Sequence, residues 1–181
     1  GAESANPRVL AAMQKGGHML VNGTKRVNGH DLPLTMIHGY ENTHRAGIHG
    51  NCTWISGYVG EDLEALQDSV AFIVWQRELT GKPEAVNARF FQATAYPGTS
   101  FFRHSKVQAR LAQGFGLSFD SSGEAVCDDA LLEYVLALDD ADKVIVDKNG
   151  DNVYYGEMAP SQFRKCTELI NAGELEEVLC L

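Results

Sequence analysis

The clearest pattern of apolar and polar positions along the chain lies between residues 61 and 79. Apolar residues recur there every three or four positions, which places them on one face of an α-helix. They are Leu63, Leu66, Val70, Ile73, Val74 and Leu79. Acidic residues crowd the first turn, where the helix dipole favours negative charge, and Gly81 follows the last turn. The pattern predicts one long amphipathic helix.

Apolar runs on both sides of this helix predict β-strands. The first covers residues 48–56 and is separated from the helix by a tight turn at 57–60; the second covers 86–93. The segment Tyr96-Pro97-Gly98-Thr99 predicts a turn, and residues 103–112 predict another helix. This order of strand, helix, strand and helix is typical of βαβ units with a parallel sheet.

The residues before 48 predict two further helices with a turn-rich segment between them. Asn6 suits an N-cap, Pro7 suits the first helical position, and Gly16 is expected to stop that helix. Residues 18–30 contain two Asn-Gly pairs, which predict a loop or a small hairpin. A second helix is expected over residues 31–45.

After residue 113 the pattern changes to a glycine- and serine-containing linker followed by shorter elements. The expected elements are helices over 128–139, 160–171 and 174–179, and strands over 143–147 and 152–156 that flank Asn149-Gly150 as a β-hairpin. The sequence therefore predicts an α/β domain over 1–113 and a small α+β appendage over 114–181.

Composition and charge narrow the class of protein. Hydrophobic residues make up 44% of the 181 and charged residues 22%, which is ordinary for a globular chain. The net charge of −9 argues against nucleic-acid binding, which needs a basic face. No apolar run is long enough to cross a bilayer, so no membrane contact is expected. The four cysteines lack metal-type spacing and favour a reducing, cytoplasmic compartment.

Five of the six histidines lie in the first third of the chain, which raises the question of a metal site. They are His18, His30, His38, His44 and His49. No two of them have the i, i+4 spacing that places two imidazoles on one helix face. We therefore predict no metal site, and expect these histidines to face solvent or, for one or two of them, a substrate cavity.

Three predicted strand ends carry residues suited to ligand binding. Ligands of parallel sheets collect at the carboxyl ends of the strands. The three ends are Gly1-Ala2-Glu3-Ser4, the segment from Ile55 to Glu61, and the segment from Gln92 to Thr99. Glu3 and Ser4 can hydrogen-bond a hydroxyl or an amine, Ile55 can pack against an aromatic ring, and glycine lets a backbone lie against a ligand.

Taken in order, these segments resemble the C-terminal half of a radical S-adenosylmethionine (radical SAM) domain. In that family a strand ends in G-x-E-S before a helix that reads roughly VL..M.KG, a later strand ends in I-x-G-x-P-G-E, and YPGT follows the next. The matching residues are Gly1–Ser4, Val9-Leu10, Met13, Lys15-Gly16, Ile55–Glu61 and Tyr96–Thr99, with Val59 where proline is common. The resemblance covers about residues 1–102 and implies half of a parallel βα barrel.

The resemblance also implies roles for individual residues. Glu3 and Ser4 would contact the ribose or the amino-acid end of S-adenosylmethionine, and Ile55 would lie near the adenine. Gly57 would let the backbone pass close, and Gln92 and Ala93 would border the adenine from the next strand. Gly60 and Glu61 would shape the turn and cap the helix. The reaction of the family is reductive cleavage of the cofactor to a 5′-deoxyadenosyl radical, which abstracts hydrogen from a substrate.

The cluster motif of the family, C-x-x-x-C-x-x-C, is absent from this chain. In the family it precedes the strand that ends at Gly1. The resemblance therefore implies an iron–sulfur cluster with ligands outside this chain, a truncated enzyme whose partner is the missing N-terminal half, and possible use of cobalamin. It identifies neither catalytic residues nor the substrate.

Two other functions stay open on the sequence. A half-barrel remnant could act as a non-catalytic binding or assembly module and cover its open strand edge by forming a homodimer. An ordinary α/β enzyme could use the same strand ends for a phosphorylated ligand. In that case the turn at 57–60 would bind phosphate, although no lysine follows it and Glu61 would repel the anion.

Overall fold

The computed structural model describes residues 1–138, 146–150 and 153–181 and has the α/β class that the sequence predicts. In chain order the elements are α1 (Pro7–Ala12), α2 (Gly16–Met19), β1 (Thr24–Val27), β2 (His30–Pro33), α3 (Leu34–Arg45), β3 (Thr53–Ser56), α4 (Leu63–Thr80), a 3-10 turn (Pro83–Ala85), β4 (Arg89–Gln92), α5 (Ser105–Phe115), α6 (Asp129–Ala137), α7 (Pro160–Ala172) and α8 (Leu175–Leu179). Within these described ranges, no helix has the length and hydropathy needed to cross a bilayer.

The chain divides into two compact units. The larger contains Gly1–Phe91 together with Gly156–Leu181, and the smaller contains Gln92–Tyr155. The division expected from the sequence, between residues 113 and 114, falls inside α5 of the smaller unit.

Two sheets, each of two strands, lie in the described part of the chain. β1 and β2 form an antiparallel hairpin in which Val27 pairs with His30. Asn28 and Gly29 connect them at φ values of 48° and 88°, which fits the turn that an Asn-Gly pair favours. Of the two structures expected for residues 18–30, the hairpin is therefore the correct one.

The second sheet is parallel and gains a further chain segment at Glu3. β3 pairs with β4, and Glu3 forms a parallel bridge to Trp54 of β3. Glu3 bonds to the Thr53 carbonyl and the Ile55 amide, which point to the same side of β3. β4 therefore pairs along the opposite edge of β3.

The long helix α4 is buried on more than one face, so the amphipathic pattern expected for it is incomplete. It packs against β2 and against α8, and Phe72 makes an edge-to-face contact with Trp54. Polar side chains are buried along with the apolar ones, among them Asp68, Ser69 and Gln76. When several elements cover a helix, apolar residues lie around most of its circumference, and the three-to-four-residue periodicity of a single apolar face becomes weak.

Several element boundaries differ from those expected. α1 starts at Pro7 with Asn6 as its N-cap, as predicted, but it ends at Ala12 and Gly16 begins α2 instead of stopping α1. Residues 31–33 pair in the hairpin, so α3 starts only at Leu34. The strand expected over 48–56 is limited to Thr53–Ser56.

The C-terminal helices α6, α7 and α8 confirm the helical segments expected there. Asp128 caps α6 by accepting from the Leu131 amide, and Gly173 ends α7 in the left-handed region. The strands expected over 143–147 and 152–156 lie partly outside the described residues. Between them, the Gly150 amide donates to the Asp147 carbonyl over 2.9 Å and closes a turn.

Candidate functional site

The parallel bridge brings two of the predicted strand ends together. The Glu3 amide donates to the Thr53 carbonyl over 3.1 Å, and the Ile55 amide donates to the Glu3 carbonyl over 2.7 Å. Glu3 has a φ of 65°, which is uncommon for a residue other than glycine and turns the chain sharply into Ser4. We call Glu3, Ser4, Ile55 and Gly57 the strand-end site; all four lie in the larger unit.

The Glu3 carboxylate has access to solvent and cationic neighbours. Its side chain is 18% exposed, and Oε1 lies 3.7 Å from Nζ of Lys15 and 3.9 Å from the amino group of Gly1. Lys15 is itself largely exposed, so water weakens this ion pair. The carboxylate can therefore exchange the pair for a hydroxyl or ammonium group of a ligand at small cost.

The Ser4 hydroxyl, in contrast, is fully buried and engaged inside the protein. It accepts from the Asn6 amide over 3.1 Å and shares a hydrogen bond with the Ser69 hydroxyl over 3.4 Å. The Ser69 hydroxyl also accepts from the Ala5 amide over 3.0 Å. In this arrangement Ser4 holds the loop between Glu3 and α1 against α4.

Ile55 lies on the face of the parallel sheet that points away from α4. Trp54 is fully buried on the α4 side and stacks on Phe90 with ring centroids 6.1 Å apart. Because side chains alternate along a strand, Ile55 and Phe91 occupy the opposite face. Ile55 is half-buried there, and the Arg89 guanidinium lies 4.8 Å from the centre of the Phe91 ring. That face combines apolar surface with a cation.

The turn after β3 is organised around a buried acid, Glu61. Its Oε2 accepts from the Gly57 amide over 2.5 Å, and its backbone carbonyl accepts from the Glu157 amide over 2.6 Å. Gly57 and Gly60 have φ values of 82° and 86°. A residue with a Cβ would be strained in this backbone conformation, and glycine is not. The two glycines thus let the chain fold back, so that the Glu61 carboxyl group can accept a hydrogen bond from the Gly57 amide at the start of the same turn.

Burial controls the protonation of Glu61. The side chain is completely inaccessible, and the resulting loss of hydration raises its pKa to about 8; the Gly57 hydrogen bond opposes this rise, and the nearby Asp62 charge adds to it. Asp62, not Glu61, caps α4 by accepting from the Ala65 amide over 2.9 Å. The expectation that Glu61 shapes the turn is confirmed, and the expectation that it caps the helix is wrong.

The remaining predicted contacts are Gln92, the last residue of β4, and Ala93, which follows it; both belong to the smaller unit. The Gln92 side-chain amide donates to the Val153 carbonyl, and the Gln92 carbonyl accepts from the Thr94 hydroxyl over 3.3 Å. Ala93 is buried, with 5% of its surface exposed. Gln92 thus contributes to the internal hydrogen bonding of that unit.

A polar network that sequence reasoning missed joins the hairpin to α1 and α4. His30 Nδ1 lies 2.7 Å from Oδ1 of Asp68, and Asn6 Nδ2 donates to Oδ2 of Asp68 over 2.8 Å. Burial raises the pKa of Asp68, against the two hydrogen bonds that lower it. One signal was available: Asp68 interrupts an apolar helix between Leu66 and Val70. A charged residue there needs a buried partner.

A cavity of about 430 Å³ also opens in the larger unit, but away from the strand-end site. Arg77, Asn87, Arg89 and Phe90 line it, together with the C-terminal end of α7. These residues lie at the end of α4 and the start of β4, so the cavity is at the amino end of the parallel strands. Ligands of parallel sheets bind at the other end, and we assign this cavity no role.

The described residues do not supply a metal centre: among them, no three His, Cys, Asp or Glu side chains are grouped so that they could hold an ion. Cys52, Cys127, Cys166 and Cys180 are all free thiols. Comparison of the chain with protein-family models, with curated proteins and with solved structures finds no match.

Proposed function

We propose that this chain forms the ribose and adenine side of the S-adenosylmethionine site of a radical SAM enzyme, on half of a parallel βα barrel. The iron–sulfur ligands of that enzyme lie outside this chain. The observation that carries the proposal is the parallel bridge between Glu3 and Trp54. It makes the two family-like segments, at Gly1–Ser4 and Ile55–Glu61, neighbours in one sheet.

The direction of the strands supports a shared site. Glu3, β3 and β4 run parallel and occupy successive positions, so their carboxyl ends meet at one edge. The helix α4 covers one face of these strands through the contacts of Trp54. In a βα barrel, helices cover the outside and the ligand binds at the carboxyl edge, so this arrangement supports the proposal.

The residues present fit the cofactor in part. The partly exposed Glu3 carboxylate can accept from ribose hydroxyls or from an ammonium group, and Ile55 with Phe91 offers apolar surface to a purine ring. The Ser4 hydroxyl is already bonded, so Ser4 positions the loop and does not touch the ligand in this conformation. When bound at a reduced cluster, S-adenosylmethionine supplies the radical that abstracts hydrogen from substrate.

The proposal is tested first by reading the coding sequence that precedes Gly1. We expect an in-frame C-x-x-x-C-x-x-C segment upstream, and the protein that includes it should form 5′-deoxyadenosine from S-adenosylmethionine under reducing conditions. A start codon directly before Gly1 would contradict the enzyme function. The homodimeric, non-catalytic module would then be the function to examine, by measuring the mass of the protein in solution.

The site itself is tested by substitutions in that complete protein. We expect Glu3→Ala and Ile55→Asp each to weaken S-adenosylmethionine binding about tenfold, because each removes one contact of the ligand. Ile48→Asp is the matched control, since Ile48 is 62% exposed and outside the strand-end site. Equal affinities for all three variants would overturn the assignment of the site even if the enzyme is active.

A further inference from the structure

The helix α6 carries a contiguous apolar face that is exposed. Leu132 is 57% exposed, Val135 43% and Leu136 65%. Their spacing of i, i+3 and i+4 places them side by side on one helix face. Single exposed aliphatic side chains are common on proteins, but a contiguous group of them marks a contact surface.

The opposite face of α6 is firmly anchored, so this helix cannot turn its apolar face inward. Tyr134 is fully buried, and its hydroxyl donates to the Ala95 carbonyl over 2.6 Å. Its ring meets Phe115 edge to face with centroids 4.9 Å apart and lies 6.3 Å from Phe102. The core of the smaller unit therefore fixes which side of α6 faces outward.

The surroundings of the apolar face are acidic. Residues 128–138 include three acidic residues and no lysine, arginine or histidine. Two of the acids, Asp129 and Glu133, are exposed on α6 itself. They are one helical turn apart, in a row beside Leu132 and Leu136. Any partner that covers the leucines must therefore also meet negative charge.

We propose that the exposed face of α6, formed by Leu132, Val135 and Leu136, docks a basic amphipathic helix of a partner protein. The leucines and the valine would pack against the apolar side of that helix, and Asp129 and Glu133 would lie opposite its lysines or arginines. A second copy of this chain would bring the same acids to the interface, and an anionic membrane surface would be repelled. Charge complementarity thus favours a basic protein partner over both.

A synthetic amphipathic peptide provides the test. The probe is a labelled helical peptide of about 18 residues made of leucine and lysine at helical spacing, a length at which helices form readily. Two comparison peptides carry glutamate in place of lysine, or the same residues in an order without helical spacing. Binding of each to the full chain is measured by fluorescence anisotropy at low and at moderate salt.

Matched variants connect the binding to α6. We expect Leu132→Gln/Leu136→Gln to weaken binding of the lysine peptide at least about tenfold, because it removes the centre of the contact. Asp129→Asn/Glu133→Gln should weaken it less and remove most of its salt dependence. The control is Val21→Gln/Ile48→Gln, which replaces two side chains that are 70% and 62% exposed in the other unit. Glutamine suits a helix, and the far-ultraviolet circular dichroism of each variant verifies the fold.

Four results would overturn the proposal. The first is equal affinity of the unmodified chain and the Leu132→Gln/Leu136→Gln variant for the lysine peptide. The second is equal binding of the glutamate peptide. The third is a dimer of the unmodified chain that becomes a monomer in the leucine variant, since α6 would then bind a second copy. Tight binding to vesicles of anionic lipid that the leucine variant loses would likewise assign the face to a membrane.

Discussion

At the scale of single residues, acids at buried positions hold the candidate site in shape. Glu61 accepts from the Gly57 amide inside the turn, and Asp68 accepts from Asn6 and pairs with His30 beside it. Burying a carboxyl group is unfavourable unless it is hydrogen-bonded or uncharged. Both acids therefore have raised pKa values, although their side chains accept hydrogen bonds.

The raised pKa of Glu61 predicts a pH dependence of stability. Between about 4.5 and about 8 the unfolded chain ionises this group while the folded protein keeps it protonated. The free energy of unfolding should therefore fall as the pH rises through this range, at roughly 1.4 kcal/mol per pH unit and on the order of 5 kcal/mol in total. Glu61→Gln retains an oxygen that can accept from Gly57 and should remove most of this decline.

Urea unfolding at pH values from 5 to about 9 measures the effect in the unmodified chain and in the variant. The control is Glu64→Gln, which replaces an exposed glutamate in the first turn of α4. If Glu61→Gln and the unmodified chain lose stability in parallel as the pH rises, Glu61 is ionised in the folded protein and the prediction is wrong.

At the scale of elements, glycine and asparagine decide where the chain turns. Asn28 and Gly29 close the hairpin with positive φ values, and that hairpin takes residues 31–33 away from the helix α3. From apolar periodicity alone, residues 31–33 belong to the helix, because the spacing of apolar residues does not reveal that these residues pair across a hairpin. The helix was predicted and the hairpin was one of the two structures expected, but their shared boundary is set by the pairing of β1 with β2.

Two glycine substitutions test this account with opposite signs. Gly29→Ala should lower the free energy of unfolding by about 1 kcal/mol, because alanine is strained at a φ of 88°. Gly39→Ala should raise it by roughly 0.5–1 kcal/mol, because Gly39 lies in α3 and an added Cβ meets nothing within 4 Å. Urea unfolding of both variants measures the difference. Stabilisation by Gly29→Ala would show that the hairpin turn is not formed as described.

At the scale of the whole molecule, two compact units have separate cores. Trp54 is central to the larger one, where it packs between Phe72 and Phe90, and Tyr134 is central to the smaller one beside Phe115. The larger unit is assembled from both ends of the chain, since Gly156–Leu181 joins Gly1–Phe91. The sequence alone suggested a division into consecutive segments, because linker composition marks positions along the chain and carries no sign of which segments pack together.

Separate cores predict that damage to one unit is felt mainly there. Trp54→Ala should lower the free energy of unfolding of the larger unit by roughly 3–5 kcal/mol through the cavity that it leaves. Trp75→Ala, at a half-buried position in α4, should cost less. Amide hydrogen exchange should show lost protection in α4 and β3 for the first variant. Equal loss of protection in α5 and α6 would mean that the two cores unfold as one.

The sequence by itself determined the α/β class, the Asn6 cap, the C-terminal helices and the segments that end at the candidate site. These features depend on residues that are near one another in the chain, so local propensity and spacing specify them. Only the tertiary structure decided that Glu3 lies beside Ile55, that the Ser4 hydroxyl is turned inward, and that Asp68 joins His30 to Asn6. Those contacts join residues that are far apart in the sequence. Burial and packing decide which of them form, and local sequence patterns contain no information about either.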